Sequence, residues 1–174
     1  IGSNVLDIGC GNGRNLFYRS DLDMVGLELS QELCNIVKSR GGNVFNGNMV
    51  NLPFRDNTFD YIICVAVYHH LDNDKDRQTA LNEMHRVLKK GGNAFIQVWA
   101  MEQPFNSRIK FMKRDEYVPW KNKDGTILHR YYHIYPKEEL EKEILKLTIQ
   151  NDNNLFKIKS TEYEEGNWIC IIEK

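Results

Sequence analysis

The chain has 174 residues, 41% of them hydrophobic, so one domain with its own core is expected rather than two. Its formal net charge of -1, from 23 basic and 24 acidic residues, excludes a uniformly basic nucleic-acid binder and directs attention to local patches. No apolar run is long enough to span a bilayer and no signal-like segment opens the chain, so a soluble cytoplasmic protein, with access to the nucleus, and no membrane partner is expected.

Val5 to Ile8 reads as a short buried strand, followed by glycines at 9, 11 and 13 and the start of a helix over Asn12 to Ser20. Ile1 stands only a few residues ahead of that strand, so an N-terminal helix is expected to be missing from this sequence, as in a truncated chain. Met24 to Leu29 is the second strand. Ser30 then caps a helix through Arg40, in which Leu33, Ile36 and Val37 fall at helical spacing and Gly41-Gly42 ends it. Val44-Phe45 is the third strand, and Phe59 to Val67 is a nearly continuous apolar run, the pattern of a central parallel strand buried on both faces.

The next helix is expected from about Asp72 to Lys89, with Lys89-Lys90-Gly91-Gly92 as its stop and Asn93 to Ala100 as the fifth strand. This alternation predicts a doubly wound parallel sheet whose ligand crevice lies at the carboxyl ends of the strands. Phe105 to His133 breaks the pattern. Pro136 opens an amphipathic helix with Leu140, Ile144 and Leu147 inward, and Leu155 to Glu164, Glu165-Gly166-Asn167 and Trp168 to Glu173 form a closing β-hairpin. The whole is one domain, 1–174, with 101–133 as a basic and aromatic insertion on the substrate side.

The cysteines, Cys10, Cys34, Cys64 and Cys170, are far apart and sit mostly in apolar patterns, as buried reduced thiols do. Neither they nor the histidines have metal-ligand spacing, so no metal site is expected.

The glycines of "VLDIGCGNG" let a nucleotide-like ligand approach the backbone, but Arg14 occupies the sixth position from Gly9, where a dinucleotide fold places its last glycine. Asp7 points the same way. A carboxylate beside a pyrophosphate repels it, whereas beside an ammonium or sulfonium it attracts. S-adenosylmethionine carries both cations and no phosphate. Glu28, ending the second strand, is placed to accept hydrogen bonds from two ribose hydroxyls.

"VLDIGCGNG", "NLPF", "FDYIICVAVYHHL" and "VLKKGGNAFI" resemble the successive motifs of class I S-adenosylmethionine-dependent methyltransferases. "GCGNGRN", "VAVYHHL", "VWAMEQ", "VPW", "RYYHIY" and "GNWICIIEK" narrow the resemblance to the eukaryotic tRNA wobble-uridine methyltransferases, which convert 5-carboxymethyluridine to its methyl ester. The resemblance runs from Val5 to Lys174. It implies a Rossmann-like, mostly parallel seven-stranded sheet ending in an antiparallel hairpin, with cofactor contacts from Asp7, Gly9, Cys10, Gly11, Gly13, Glu28, Leu29, Met49 and Val65. Asn48 stands where many class I enzymes carry an acid for the adenine amino group, a role its amide oxygen can take. The substrate residues implied are Arg14, Asn15, Trp120, Arg130, Tyr131, His133, Asn167 and Trp168.

The insertion's own residues fit an RNA substrate. Phe105 to His133 carries a local charge of +4, interleaved with Phe105, Phe111, Tyr117, Trp120, Tyr131 and Tyr132, on an otherwise acidic body. Phosphate attraction combined with rings for stacking suits a single-stranded loop such as the tRNA anticodon. A carboxymethyl acceptor, ionised at neutral pH, needs positioning rather than a base, and Arg14, His70 and Arg130 are the candidates for that work. The rival readings are a methyltransferase of small molecules or lipids and a non-catalytic methyltransferase-like module. The resembled family also works with a small zinc-binding activator subunit, expected here at the third-strand edge near Val44 and Phe45, which carries no lysine or proline guard.

Overall fold

A computed structural model of the chain describes residues 2–121, 124–150 and 155–174. Ile1 and Lys123, the latter counted in the basic insertion, lie outside the described residues. In chain order the elements are β1 (Asn4–Ile8), β2 (Asp23–Glu28), α1 (Gln31–Ser39), β3 (Val44–Asn46), β4 (Phe59–Val65), a 3-10 turn (Tyr68–His70), α2 (Asp74–Val87), β5 (Leu88–Trp99), β6 (Asp115–Lys121), β7 (Ile127–His133), α3 (Glu139–Gln150), β8 (Lys157–Glu164) and β9 (Asn167–Glu173). Seven strands form one sheet in the order β3-β2-β1-β4-β5-β9-β8. The first five are parallel, and β9 runs antiparallel to both β5 and β8. The order reverses at β1, beside β4, which is where an open α/β sheet leaves its ligand crevice.

The residues after the glycine turn do not form the helix expected over Asn12 to Ser20. Turns closed by Gly13 N–H to Cys10 O (2.9 Å), Leu16 N–H to Gly13 O (3.1 Å) and Tyr18 N–H to Asn15 O (3.1 Å) replace it. Gly9, Gly11 and Gly13 all take positive φ, and the chain must return quickly to pair Asn4 with Asp23 in register. Those demands leave no length for a helical ladder.

That loss explains a second departure. β4 is not buried on both faces: Ile62 and Cys64 are enclosed, whereas Tyr61 is 46% exposed and Ile63 and Val65 are half-buried. α2 and α3 bury one face through Leu81, Met84, Leu140 and Ile144, while turns in place of a helix cover the other thinly. The helix expected over Asp72 to Lys89 spans Asp74–Val87, with the Asn73 side chain accepting from Asp76 N–H at 2.9 Å as its N-cap. Gly91 and Gly92 lie inside β5, at an irregularity where the β4 pairing shifts from Phe59–Leu88 to Tyr61–Asn93, rather than ending the helix. The last hairpin turns on Glu165 and Gly166, both at positive φ (44° and 85°), the geometry that suits a two-residue hairpin loop.

The insertion becomes a separate two-stranded sheet, β6-β7, anchored over the end of β5. Tyr132 stacks on Trp99 with ring centroids 4.3 Å apart and 9° between planes, and Phe111 lies 5.6 Å from Trp99 on centroids. Phe111, Tyr132 and Ile134 form a small core of their own.

Candidate functional site

The glycine turn is built around two carboxylates. Asp7, the penultimate residue of β1, is only 1% exposed and belongs to the interior. Burial pushes its carboxyl up to about 7, against a hydrogen bond from Asn15, and the nearby Glu28 adds to the rise. Its Oδ2 is buried without a hydrogen-bond partner. Glu28 accepts from Gly11 N–H through Oε2 and from Ser30 N–H through Oε1, both at 2.9 Å, which fixes the glycine turn to the start of α1. Each oxygen keeps a lone pair for a further donor.

A cationic group answers this arrangement. An unpaired buried carboxylate oxygen is costly, and an ammonium or sulfonium beside it relieves the cost. The backbone gives room: a Cβ at Gly11 meets nothing within 4 Å, while one at Gly9 collides with Val67 at 2.3 Å. Gly9 is therefore required both by its φ of 70° and by the neighbouring strand end. Leu29, 71% exposed beside Glu28, offers an apolar edge. Asn48 is exposed with Oδ1 accepting from Val50 N–H at 3.2 Å, and Met49 is buried beneath it. Val65 is half-buried at the end of β4, and burial raises the Cys10 thiol to about 12, leaving a packing role. S-adenosylmethionine, with two cations, ribose hydroxyls and no phosphate, fits this donor set.

Beyond the end of β4 stand the two histidines. His69 is fully buried, and its Nδ1 accepts from Trp99 N–H at 3.0 Å, which joins the ends of β4 and β5. His70 Nδ1 lies 2.9 Å from the Tyr131 carbonyl. A carbonyl can only accept, so Nδ1 carries the proton, and the neutral ring presents Nε2 as a lone pair. Burial, assisted by the charge of Arg130, lowers the His70 pKa and keeps the ring neutral.

Strand alternation sorts the insertion into two faces. Paired positions place Val118 opposite Arg130 and Trp120 opposite Leu128 on the face that Tyr132 shares. There the Arg130 guanidinium lies 4.4 Å from the Trp120 ring centroid, a cation–π contact that limits its motion. Tyr131 and His133 occupy the other face with Asp115. Asp115 accepts from the Tyr131 hydroxyl and lies 2.9 Å from His133 Nδ1, while His133 Nε2 lies 3.6 Å from Glu139 Oε1 at the start of α3, which ties the base of the hairpin to that helix. The structure thus brings His70, Trp120 and Arg130 together, and turns the side chains of Tyr131 and His133 to the opposite face of the hairpin from Trp120 and Arg130. Asn15 sits on Asp7, and Arg14 is exposed at the turn. Asn167 and Trp168 also diverge: Trp168 turns to the main core and donates Nε1 to Glu102 at 3.2 Å, while Asn167 borders a cleft with Trp99.

Trp99, Gln103 and Phe111 line that cleft; Phe111 is one of the insertion's rings, whereas no pattern in the sequence assigns a role to Trp99 or Gln103. Gln103 lies within the "VWAMEQ" motif, which was the available signal.

Residues 6–96 match the family described as a methyltransferase domain. The chain is 32% identical over 196 residues to the tRNA (carboxymethyluridine(34)-5-O)-methyltransferase of Schizosaccharomyces pombe, covering 100% of this chain and 82% of that protein. It is 30% identical over 228 residues to the protein of the same description from Xenopus tropicalis, covering 99% of this chain but only 35% of that protein, so it spans about a third of the length of this longer relative. A solved S-adenosylmethionine-dependent methyltransferase from Methanosarcina mazei shares the fold with a TM-score of 0.72 at 16% identity, covering 99% and 92% of the two chains.

Proposed function

The chain belongs to the methyltransferase-domain family, in its tRNA (carboxymethyluridine) methyltransferase branch, and from that premise we propose that it methylates the carboxylate of 5-carboxymethyluridine at the tRNA wobble position, using S-adenosylmethionine. The observation that carries this reading is the pair of carboxylates at the glycine turn, one with an unpartnered buried oxygen, in a chain that also holds the Arg130 cation on an aromatic hairpin beside His70. When bound, S-adenosylmethionine supplies an electrophilic methyl group on a cationic sulfur. Asp7 attracts the cationic end, Glu28 accepts from the ribose hydroxyls, and Leu29 and Asn48 border the base.

The acceptor carboxylate is already ionised at neutral pH, so no residue has to remove a proton. What remains is orientation and exclusion of water, which together supply large rate factors. Neutral His70 offers a lone pair at Nε2 and repels a carboxylate; Arg130 is the cation stationed at the same place. We therefore assign the holding of the carboxylate to Arg130 and a packing role beside it to His70. Transfer of labelled methyl to an anticodon stem-loop carrying 5-carboxymethyluridine, with no transfer to the same RNA carrying plain uridine, tests the reading.

The hairpin and the segment before it supply RNA attraction. Arg108, Lys113 and Lys121 are exposed, whereas Arg114 is paired with Glu139 at 3.0 Å and Lys110 Nζ bonds the Pro104 carbonyl at 2.6 Å. Changing Arg108 and Lys113 together to glutamate is expected to weaken tRNA binding at least tenfold at 50 mM salt and to flatten the slope of log affinity against log salt by about two, with S-adenosylmethionine affinity unchanged. Fluorescence anisotropy across a salt series reads both numbers, and parallel slopes for variant and parent contradict the assignment.

A small zinc-binding activator subunit at the β3 edge is the companion proposal. β3 terminates the sheet, and Phe45 is 44% exposed while its ring meets Phe54 edge-on at 5.1 Å. Unpaired backbone beside exposed rings favours strand addition. Phe45→Lys is expected to abolish co-purification with such a subunit and leave S-adenosylmethionine affinity within twofold; size-exclusion chromatography of the mixed proteins decides it, and an undiminished complex refutes it.

A further inference from the structure

The cleft beside Asn167 has a wall that the methyl-transfer site does not use. A cavity of about 160 Å³ is lined by the apolar side chains of Trp99, Ile109 and Phe111 and by Gln103, Glu165, Gly166 and Asn167. This is well below the size of a site for a drug-like ligand, and it suits a single ring. Its composition is that of a small aromatic site: two rings and an aliphatic side chain together with two amides and a carboxylate. The cleft opens at the end of β5, one strand from His70, because His69 ties the end of β4 to Trp99 N–H.

The polar wall is held by Gln103. Its Nε2 donates to the Ala100 carbonyl at 2.7 Å and to the Gly166 carbonyl at 3.0 Å, while Oε1 accepts from the Ser107 hydroxyl at 3.4 Å. Ala100 N–H also bonds the Gly166 carbonyl, at 2.8 Å. The β8–β9 turn is thereby fastened to the end of β5, and the fit leaves no slack: a Cβ at Gly166 meets the Gln103 amide at 2.6 Å, at a backbone φ of 85°. Gln103 therefore has no amide hydrogen left for a ligand. Asn167 uses Nδ2 on the carbonyls of Glu164 and Glu165, at 3.2 and 3.4 Å, which leaves Oδ1 as an acceptor.

Resting on the tRNA reading above, we propose that this cleft receives the target pyrimidine ring itself, that Asn167 Oδ1 and the Glu165 carboxylate accept from the imide N–H of a uracil, and that Gln103 is the positioning residue that sets their wall. Two acceptors select a ring edge that donates. Uracil presents N–H at position 3, and a ring methylated at that position leaves both acceptors without that donor. The Glu165 charge also turns away phosphate and the substrate's own carboxylate, which directs the carboxymethyl arm out of the cleft toward Arg130.

Steady-state methyl transfer to an anticodon stem-loop carrying 5-carboxymethyluridine, and to one carrying its N3-methyl derivative, tests the proposal in the full chain with its co-purifying subunits. Asn167→Ala, Gln103→Leu and Gly166→Ala are each expected to raise KM for the first RNA about tenfold or more, with S-adenosylmethionine affinity unchanged by calorimetry, which excludes general unfolding. The N3-methyl RNA is expected to lose as much in the parent, and little further in Asn167→Ala. Equal use of both RNAs by the parent, or an unchanged KM in Asn167→Ala and Gln103→Leu, overturns the subsite while leaving the tRNA reading standing. A parent inert on both RNAs overturns that reading, and this one with it.

Discussion

Replacing Asp7 by asparagine is expected to yield a protein that is more stable at pH 8 and no longer binds S-adenosylmethionine. The carboxyl pKa stands at about 7 in the folded free protein, raised first by burial, against an ordinary 3.8. A raised acid pKa means that folding takes up a proton between those two values, so stability is lost as pH climbs from about 4 to 7 and the full loss persists above. The separation corresponds to a cost of up to about 4 kcal/mol at pH 8. An amide of the same shape carries no charge and keeps a partner for Asn15, so much of that cost disappears; for a chain of this length a gain of that order appears as a rise in Tm of about 5 °C or more. At pH 4 the two proteins should melt together. The same charge is what a cationic ligand needs, so in the parent the Kd for S-adenosylmethionine should climb about tenfold per pH unit below 7, and in Asp7→Asn binding should be undetectable at any pH. Melting curves at pH 4 and 8 with calorimetry across the pH series separate the two effects. A variant that melts lower at pH 8 and still binds the cofactor contradicts the placement of Asp7.

Arg130→Ala is expected to lower kcat for methyl transfer about a hundredfold, the loss typical of removing one preorganised charge-stabilising group, and to leave S-adenosylmethionine affinity unchanged. The side chain lies over Trp120 and close enough to His70 to lower its pKa, and the His70 tautomer leaves no proton at Nε2 to take over the role. Arg130→Lys should recover only part of the loss, because an ammonium lacks both the planar stacking on Trp120 and the two-pronged grip on a carboxylate. His70→Gln should cost less than tenfold. If His70→Gln proves the more damaging of the two, the assignment of the carboxylate to Arg130 fails.

Much of this site was legible in the chain because its chemistry is local. Asp7, the three glycines and Glu28 lie at strand ends whose apolar runs mark them, and the alternation of strands and helices puts those ends together. The final hairpin was legible for the same reason, since Glu165-Gly166 suits a turn with two positive φ values. What escaped depends on contacts across the fold. The apolar periodicity after Gly13 suggests a helix, but three glycines and a short return to β2 turn it into a chain of i to i+3 bonds. The basic insertion reads as one block in composition, yet the pairing of β6 with β7 decides that Trp120 and Arg130 share a face from which Tyr131 and His133 are turned away. The tautomer of His70 depends on a carbonyl sixty-one positions along the chain, and the role of Gln103 on a turn sixty-three positions along. Neither separation leaves a periodic trace.

The most direct measurement is mass spectrometry of nucleosides from tRNA incubated with the protein, alone and with the proposed zinc-binding subunit, in the presence of S-adenosylmethionine bearing a deuterated methyl group. The account predicts one labelled product, 5-methoxycarbonylmethyluridine, which mild alkali returns to 5-carboxymethyluridine with loss of the label, because an ester hydrolyses and a methylated ring nitrogen or ribose oxygen does not. Label that survives alkali, or label confined to small molecules with none in RNA, contradicts it.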